Sequence, residues 1–251
     1  MKSLIIILAF ICSTSAEATP FRIGTILDTV GEQINDNIDF SQERLNIERI
    51  RSLNFDTTFF NQIDAVIYLN AFGSDARREL SVAEQNNLFN FVLGGGNAYL
   101  GVGAGNSTPF PGLAALFGIT YGTFIFGSET GVVQDPTNPL VNGPFETDGS
   151  YVNTFFRALS TPTNGTALGR SPVGTTLVYF AEGALAPGSG QVYFFADEVS
   201  LFTSPSQDAL LANALVSFGA SQIPEPGPLA GLGLGLLGLC GFIQRRRRTI
   251  L

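Results

Sequence analysis

A strand, a helix and a second strand follow one another between residues 63 and 105, and this order constrains the fold more than any other feature. The segment IDAVIYLN is a continuous apolar run, typical of a strand buried on both faces of a parallel sheet. The segment SVAEQNNLFNFVLGGG predicts a helix, because Ser81 is a candidate N-cap, Glu84 completes a capping box and Gly94 is a stop signal. NAYLGVGAG then predicts the second strand. This unit predicts an α/β fold with a mainly parallel sheet flanked by helices.

The rest of the body adds strands and a closing helix. FRIGTIL, TYGTFIFGSETGVV, TTLVYFAEG and GQVYFFADEV are predicted strands, and SQDALLANALVSFGA is a predicted helix. In FSQERLNIERIRSLN the apolar residues recur at roughly helical intervals, which predicts a helix or a helical turn. These residues are Leu45, Ile47, Ile50 and Leu53. We therefore expect one α/β body over residues 19–220.

The residue types missing from this body limit its chemistry. Hydrophobic residues make up 45% of the chain and charged residues 14%, which predicts a packed core rather than disorder. There is no His or Trp, and every Cys, Lys and Met lies in a terminal segment: Cys12, Cys240, Lys2 and Met1. Between Thr19 and Ile223, 8 arginines stand against 19 acidic residues, a net charge of −11. Such a surface disfavours nucleic acid and anionic lipid, and no cofactor or metal site is predicted.

The amino-terminal segment, residues 1–18, has the pattern of a secretory signal peptide. One positive charge at Lys2 precedes an apolar run from Leu4 to Cys12, and Ala16-Glu17-Ala18 supplies an A-x-A cleavage site. A buried first strand is the alternative. A lipoprotein signal is disfavoured, because Cys12 is followed by STSAEA and does not itself follow a run of small residues.

The carboxyl-terminal segment, residues 221–251, has three parts in order. Pro224-Glu225-Pro226 comes first, residues 227–243 form an uncharged and largely apolar stretch, and Arg245, Arg246, Arg247 and Arg248 form a basic cluster. The stretch 227–243 is at the short limit for a transmembrane helix. By the positive-inside rule, the arginines would hold the carboxyl terminus in the cytoplasm and leave the body on the far side. An ordinary tail anchor is the alternative.

This tail resembles the PEP-CTERM sorting signal. The resemblance implies an exported protein of a Gram-negative bacterium whose partner is exosortase, a membrane-embedded cysteine protease that recognises Pro224, Glu225 and Pro226 and cuts near them. Anchoring in the inner membrane would be transient, and the body would then reach the cell surface or the extracellular matrix. The resemblance also implies an association with exopolysaccharide and biofilm. It does not identify the activity of the body.

The glycine turn after the second strand of the unit is the candidate active-site motif. A dinucleotide-binding fingerprint needs G-x-G-x-x-G at the start of a helix. Here the spacing is G-x-G-x-G, and the following NSTPFPG contains two prolines. Phosphate binding is therefore disfavoured. In some α/β enzymes a G-x-nucleophile-x-G turn instead holds a strained nucleophile at the carboxyl edge of the sheet. FVLGGGNAYLGVGAGN resembles the class I glutamine amidotransferase-like (flavodoxin-like) family in this respect. IDAVIYLNAFG, DPTNPLVNG and GSGQVYFFADEV resemble that family more loosely.

The resemblance puts Gly101 and Gly105 on the flanking glycines and Gly103 on the nucleophile. Catalysis in the family needs a thiolate activated by a His, and this chain has Gly103 in place of the thiol and no His. Amidotransferase activity is therefore not expected. An elbow commonly forces a positive φ, which costs a non-glycine residue on the order of 1 to 3 kcal/mol and glycine little. A vacated elbow and a glycine turn in some other α/β fold are the two interpretations that remain.

Polar residues after the predicted strands are the remaining candidates for a pocket: Asp28, Asn70, Asp197 and Glu198. Ligands of α/β proteins bind at the carboxyl ends of the strands. Asp197 and Glu198 could bind a cation, or act with a third carboxylate on a glycosidic bond. As adjacent residues of an extended segment they point to opposite sides, which makes them a poor catalytic pair. The sequence favours a noncatalytic scaffold or ligand-binding protein, with an exported carboxylate-dependent polysaccharide hydrolase as the alternative.

Overall fold

The computed structural model describes residues 19–26, 41–70, 80–102, 111–125, 127–154, 156–196 and 205–220. The chain divides into two units, Met1–Ser221 and Gln222–Leu251, and every described residue lies in the first. The predicted signal peptide and the predicted sorting tail lie outside the described residues. None of the described helices is long and apolar enough to span a membrane.

The described part of the chain contains eleven strands, four helices and the short helical segment 41–44. The strands are β1 (Phe21–Ile26), β2 (Ile47–Ser52), β3 (Ala65–Asn70), β4 (Asn97–Val102), β5 (Tyr121–Phe124), β6 (Ser128–Val133), β7 (Ser150–Thr154), β8 (Arg157–Leu159), β9 (Thr166–Ser171), β10 (Gly174–Phe180) and β11 (Val192–Phe195). The helices are α1 (Thr57–Phe60), α2 (Val82–Leu93), α3 (Pro111–Leu116) and α4 (Pro205–Ser217).

Nine of these strands form one sheet in the order β2-β1-β3-β4-β11-β10-β9-β6-β7. The first five are parallel to one another, which gives the 2-1-3-4-5 order of flavodoxin-like sheets. The other four extend the sheet with antiparallel pairings, and β5 pairs with β8 separately. The predicted α/β fold class, with a parallel sheet and flanking helices, is confirmed. Its antiparallel extension comes from the second half of the chain.

Both faces of the sheet are covered, because successive side chains of each central strand enter different cores. On β3, Val66 and Tyr68 lie in one core, and Ala65 and Ile67 lie in the other. Helices α2 and α3 pack into the first core, and α4 packs into the second. Since both sets of β3 side chains are buried, the strand reads as a continuous apolar run, as the sequence predicted.

The capping box at the start of α2 is confirmed. The Ser81 hydroxyl accepts a hydrogen bond from the Glu84 amide at 3.3 Å, and Glu84 Oε2 accepts one from the Ser81 amide at 3.0 Å. The other carboxylate oxygen of Glu84 accepts a hydrogen bond from the Phe55 amide at 3.0 Å. The same side chain therefore caps the helix and fixes the segment that leads into α1. At the other end, the Gly94 amide donates to the Asn90 carbonyl at 2.9 Å and closes the helix.

The helix predicted from the spacing of Leu45, Ile47, Ile50 and Leu53 is wrong over most of its length. Only residues 41–44 are helical, and Ile47–Ser52 form the edge strand β2. In a strand, residues three apart point to opposite faces, so Ile47 packs against one core and Ile50 against the other. Burial on both faces of an edge strand thus produced apolar spacing that imitates a helix. Leu53, beyond the strand, is exposed.

The loop between β6 and β7 is joined to the first turn of α4 through Asp148. Its Oδ1 atom accepts hydrogen bonds from the Ser150 hydroxyl at 2.6 Å and the Ser206 hydroxyl at 2.7 Å. The Ser150 amide donates a third bond at 2.9 Å. These bonds, those from Ser150 and Ser206 above all, favour the ionised carboxylate and lower the pKa of Asp148 from 3.8 to about 2.

We expect Asp148→Asn to remove this contribution and to change the acid stability of the protein. A carboxylate whose pKa is lower in the folded state stabilises the fold above its unfolded-state pKa, here about 3.8, and the contribution is lost as the pH falls towards about 2. The variant should melt below the wild type at pH 6, and the gap in melting temperature should close between pH 4 and pH 2. Thermal unfolding followed by circular dichroism measures this, and a gap that stays constant with pH would contradict the assignment.

Candidate functional site

The carboxyl edge of the parallel strands brings two of the predicted site residues together. Asn70 is the last residue of β3 and pairs with Val102, the last residue of β4. Gly101 of β4 lies between Leu69 and Phe195 in the sheet. Gly101, where the predicted elbow begins, therefore lies near the carboxyl edge, beside the ends of β3 and β11.

The other predicted site residues lie outside the described residues and stay predictions. They are Asp28, Gly103, Gly105, Asp197 and Glu198 in the body, and Pro224, Glu225, Pro226 and Arg245 to Arg248 in the tail. The strands β1 and β11 end two residues before Asp28 and Asp197. Within the described ranges, no group of three or more His, Cys, Asp or Glu side chains could hold a metal ion.

The opposite, amino edge of the sheet carries an open cleft that the sequence did not predict. Its volume is 880 Å³. The walls come from the segment that enters β1, the α1–β3 connection, the last turns of α2 with the Gly94–Gly96 run, and the residues after α4. We call this feature the amino-edge cleft.

One ion pair lies in the amino-edge cleft. The carboxylate of Asp64 accepts a hydrogen bond from the Arg22 backbone amide at 2.7 Å, and the Arg22 guanidinium lies 3.3 Å from the other oxygen. Both side chains are partly exposed, at 40% for Arg22 and 38% for Asp64. Arg22 and Asp64 are the only charged residues among those described that line the cleft. The two opposite charges offset each other.

Four asparagines line the same cleft: Asn61, Asn87, Asn90 and Asn97. Asn97 is engaged in the fold through both of its amide atoms, because its Oδ1 accepts from the Gln191 amide at 2.8 Å and its Nδ2 donates to the Phe218 carbonyl at 3.4 Å. The Nδ2 of Asn87 donates to the Phe55 carbonyl at 3.0 Å. Asn61 and Asn90 are exposed, and within the described part of the chain their side-chain amides make no hydrogen bond.

Aromatic rings form the apolar part of the lining. Phe60 and Phe91 are stacked, with their ring centroids 4.9 Å apart, and both line the cleft together with Phe21 and Phe218. Phe60 and Phe218 are buried, whereas Phe21 and Phe91 are half-buried. The cleft therefore combines exposed amides with partly open aromatic surface.

The Gly94–Gly96 run serves the close packing of this edge. Gly95 has a φ of +100°, a conformation that favours glycine. A Cβ on Gly96 would overlap the ring of Phe91, and a Cβ on Gly190 would overlap the Gly96 carbonyl oxygen. A smaller cavity of 230 Å³ lies next to the cleft and shares Gly95, Asn97, Phe218 and Gly219 with it. The glycines thus bend the chain between two cavities.

The carboxyl-terminal tail carries a protein-sorting motif. Residues 222–248 match the PEP-CTERM protein-sorting motif. The PEP-CTERM motif implies an exported protein that exosortase processes at the membrane of a Gram-negative bacterium, as the sequence predicted. It covers only the end of the chain, so it leaves the role of the body open. No curated protein matches the sequence.

The body of the protein is similar in fold to several solved structures. A cytoplasmic protein from Salmonella typhimurium LT2 matches with a TM-score of 0.55 and 12% identity, over 79% of this chain and 99% of that one. The mmIFT52 N-terminal domain matches with a TM-score of 0.53 and 12% identity, over 81% of this chain and 100% of that domain. A Thermoplasma acidophilum protein described as part of a GMP synthase matches with a TM-score of 0.52 and 10% identity, over 80% of this chain and 95% of that one.

Solved glutamine amidotransferases from Methylobacillus flagellatus and Thermotoga maritima also match. At such low identities the likeness concerns the fold alone.

Proposed function

We propose that this protein is a noncatalytic, exosortase-processed scaffold or ligand-binding protein of the cell surface or extracellular matrix, associated with exopolysaccharide and biofilm. One observation carries the proposal: the position that resembles the amidotransferase nucleophile is Gly103, in a chain with no His and no Cys between Thr19 and Ile223. An activated thiolate cannot be built from these residues. The body is then a pseudoenzyme, whose stable fold presents a surface.

The chemistry of the amino-edge cleft supports binding rather than turnover. Its only carboxylate, among the described residues, is Asp64, which is paired with Arg22. A glycosidase needs two carboxyl groups about 5 to 10 Å apart that flank the scissile bond. Amides and aromatic rings can hold a ligand but supply neither the general acid nor the nucleophile of such a reaction.

The alternative is an exported carboxylate-dependent hydrolase that uses Asp197 and Glu198, which follow β11 in the sequence. The residues favour it only through their position after β11, at the edge where α/β enzymes place their active sites. It needs a third carboxylate, and Asp28 after β1 is the candidate.

We expect the full-length protein, purified in detergent, to release neither ammonia from glutamine nor reducing ends from exopolysaccharide. Ammonia detection and a reducing-sugar assay measure the two activities. Turnover that is lost in Asp197→Asn or Glu198→Gln would overturn the proposal in favour of the hydrolase. Turnover that survives both changes would overturn the noncatalytic proposal and the hydrolase alike.

A further inference from the structure

We propose that the amino-edge cleft binds a segment of a neutral oligosaccharide, with Asn61 and Asn90 as the hydrogen-bonding residues. This proposal rests on the noncatalytic, ligand-binding function above, and it names the site and the ligand class. The site lies at the edge of the sheet opposite Gly101 and Asn70, where the predicted elbow begins.

The free amides set the type of ligand. Asn61 is the C-cap residue of α1 and Asn90 lies on α2, so the two side chains approach the cleft from different elements. Each amide offers two donors and one acceptor. A sugar hydroxyl both donates and accepts, so an amide complements one hydroxyl or two neighbouring ones. The Oδ1 atom of Asn87 adds a further acceptor, since among the described residues only its Nδ2 makes a hydrogen bond.

The charge of the cleft favours a neutral ligand over an acidic one. Arg22 is paired with Asp64 and offers no uncompensated positive charge. The carboxyl-terminal end of α2 forms one wall, and a helix carries partial negative charge at this end. The net charge of −11 between Thr19 and Ile223 adds a repulsive field for polyanions. An acidic polysaccharide would therefore be repelled on approach, whereas a neutral one would not.

The aromatic lining and the size of the cleft fit a sugar chain. The half-buried rings of Phe21 and Phe91 offer apolar surface to the C–H face of a pyranose, and Phe60 stacks on Phe91. The volume of 880 Å³ is within the range of about 300 to 1,000 Å³ that is typical of small-molecule sites. The neighbouring cavity around Gly95 and Asn97 would extend the site by a further unit.

The test is binding of the full-length protein, in detergent, to an array of dextran, mannan, laminarin, maltohexaose and cellohexaose, with polygalacturonate and alginate as acidic probes. At least one neutral probe should bind, and the acidic probes should bind more weakly or not at all. For the neutral probe that binds best, Asn61→Ala and Asn90→Ala should each raise the Kd about fivefold, which corresponds to the net loss of one neutral hydrogen bond. The double variant should raise it about 25-fold, since the two residues lie on different elements.

Asn86→Ala is the matched control, because Asn86 is an exposed asparagine of α2 that does not line the cleft. It should leave the Kd unchanged. The proposal is overturned by the absence of any neutral binder, by tighter binding of polygalacturonate or alginate, or by Asn61 and Asn90 variants that bind like the Asn86 control. Turnover is measured in a separate experiment. If the cleft bound no neutral oligosaccharide, the proposal that the protein is noncatalytic would therefore be unaffected.

Discussion

Replacing Pro224, Glu225 and Pro226 together by alanine is expected to abolish exosortase processing and leave the full chain anchored in the membrane. These residues lie at the start of the matched PEP-CTERM motif, and we propose them as the part that the protease recognises. The apolar stretch 227–243 and the arginines 245–248 would be untouched, so the membrane anchor would be kept. Immunoblots of membrane and culture fractions from an exosortase-positive host measure the ratio of uncut to cut protein.

Two further variants separate recognition from anchoring. Deletion of residues 223–251 should remove both, so the body should leave the membrane fraction without being cut. Ser221→Ala alters the residue just before the matched motif and should leave processing intact. If the triple alanine variant were cut at the wild-type rate, the proposed role of the Pro-Glu-Pro residues would be wrong.

Asn213→Ala is expected to cause a large loss of stability of the described body. Asn213 is fully buried on α4 and holds the loop between β6 and β7. Its Nδ2 donates to the Leu140 carbonyl at 3.1 Å and the Phe145 carbonyl at 2.9 Å, and its Oδ1 accepts from the Phe145 amide at 3.0 Å. Alanine would leave three backbone groups without these partners and open a cavity beside Gly143, against which the Asn213 side chain packs.

Each unsatisfied buried polar group costs about 1 to 3 kcal/mol. The half-buried position of Phe145 allows water to relieve part of this cost, so we expect a total of about 3 to 5 kcal/mol. Asn142→Ala is the matched control on the same loop, because that side chain is exposed, and it should change the free energy of unfolding by less than about 0.5 kcal/mol. Urea unfolding of both variants measures the difference, and equal midpoints would show that Asn213 does not hold the loop.

The parts of the fold that could be predicted are those encoded within one short segment. The capping box of Ser81 and Glu84 defined the start of α2, and the doubly buried run of β3 identified a central parallel strand. The edge strand β2 was missed, because its pairing with β1 and its burial on both faces are tertiary properties. The strands β7, β8 and β9 were also missed. They are short or rich in polar residues, so the alternation of apolar and polar side chains is too weak to identify them as strands.

The amino-edge cleft could not be predicted for a related reason. Arg22 and Asp64 are 42 residues apart, and Asn97 meets the Phe218 carbonyl from 121 residues away. No local motif links such positions. The cluster of asparagines at Asn86, Asn87 and Asn90 before the glycine run was the one visible signal. Without the sheet order, nothing in that segment shows that Asn87 and Asn90 line a cavity and that Asn86 does not.

The first and last described elements of the body meet at the amino-edge cleft. Thr19 and Gly219 both line it, and a Cβ built on Gly219 would lie 3.7 Å from the ring of Phe21. Neighbouring ends make a body suitable for circular permutation. A short glycine-serine linker could join residue 220 to residue 19, with new termini opened at the exposed Val173 between β9 and β10. The same arrangement would allow the body to be inserted into a loop of a carrier protein through two junctions that lie side by side.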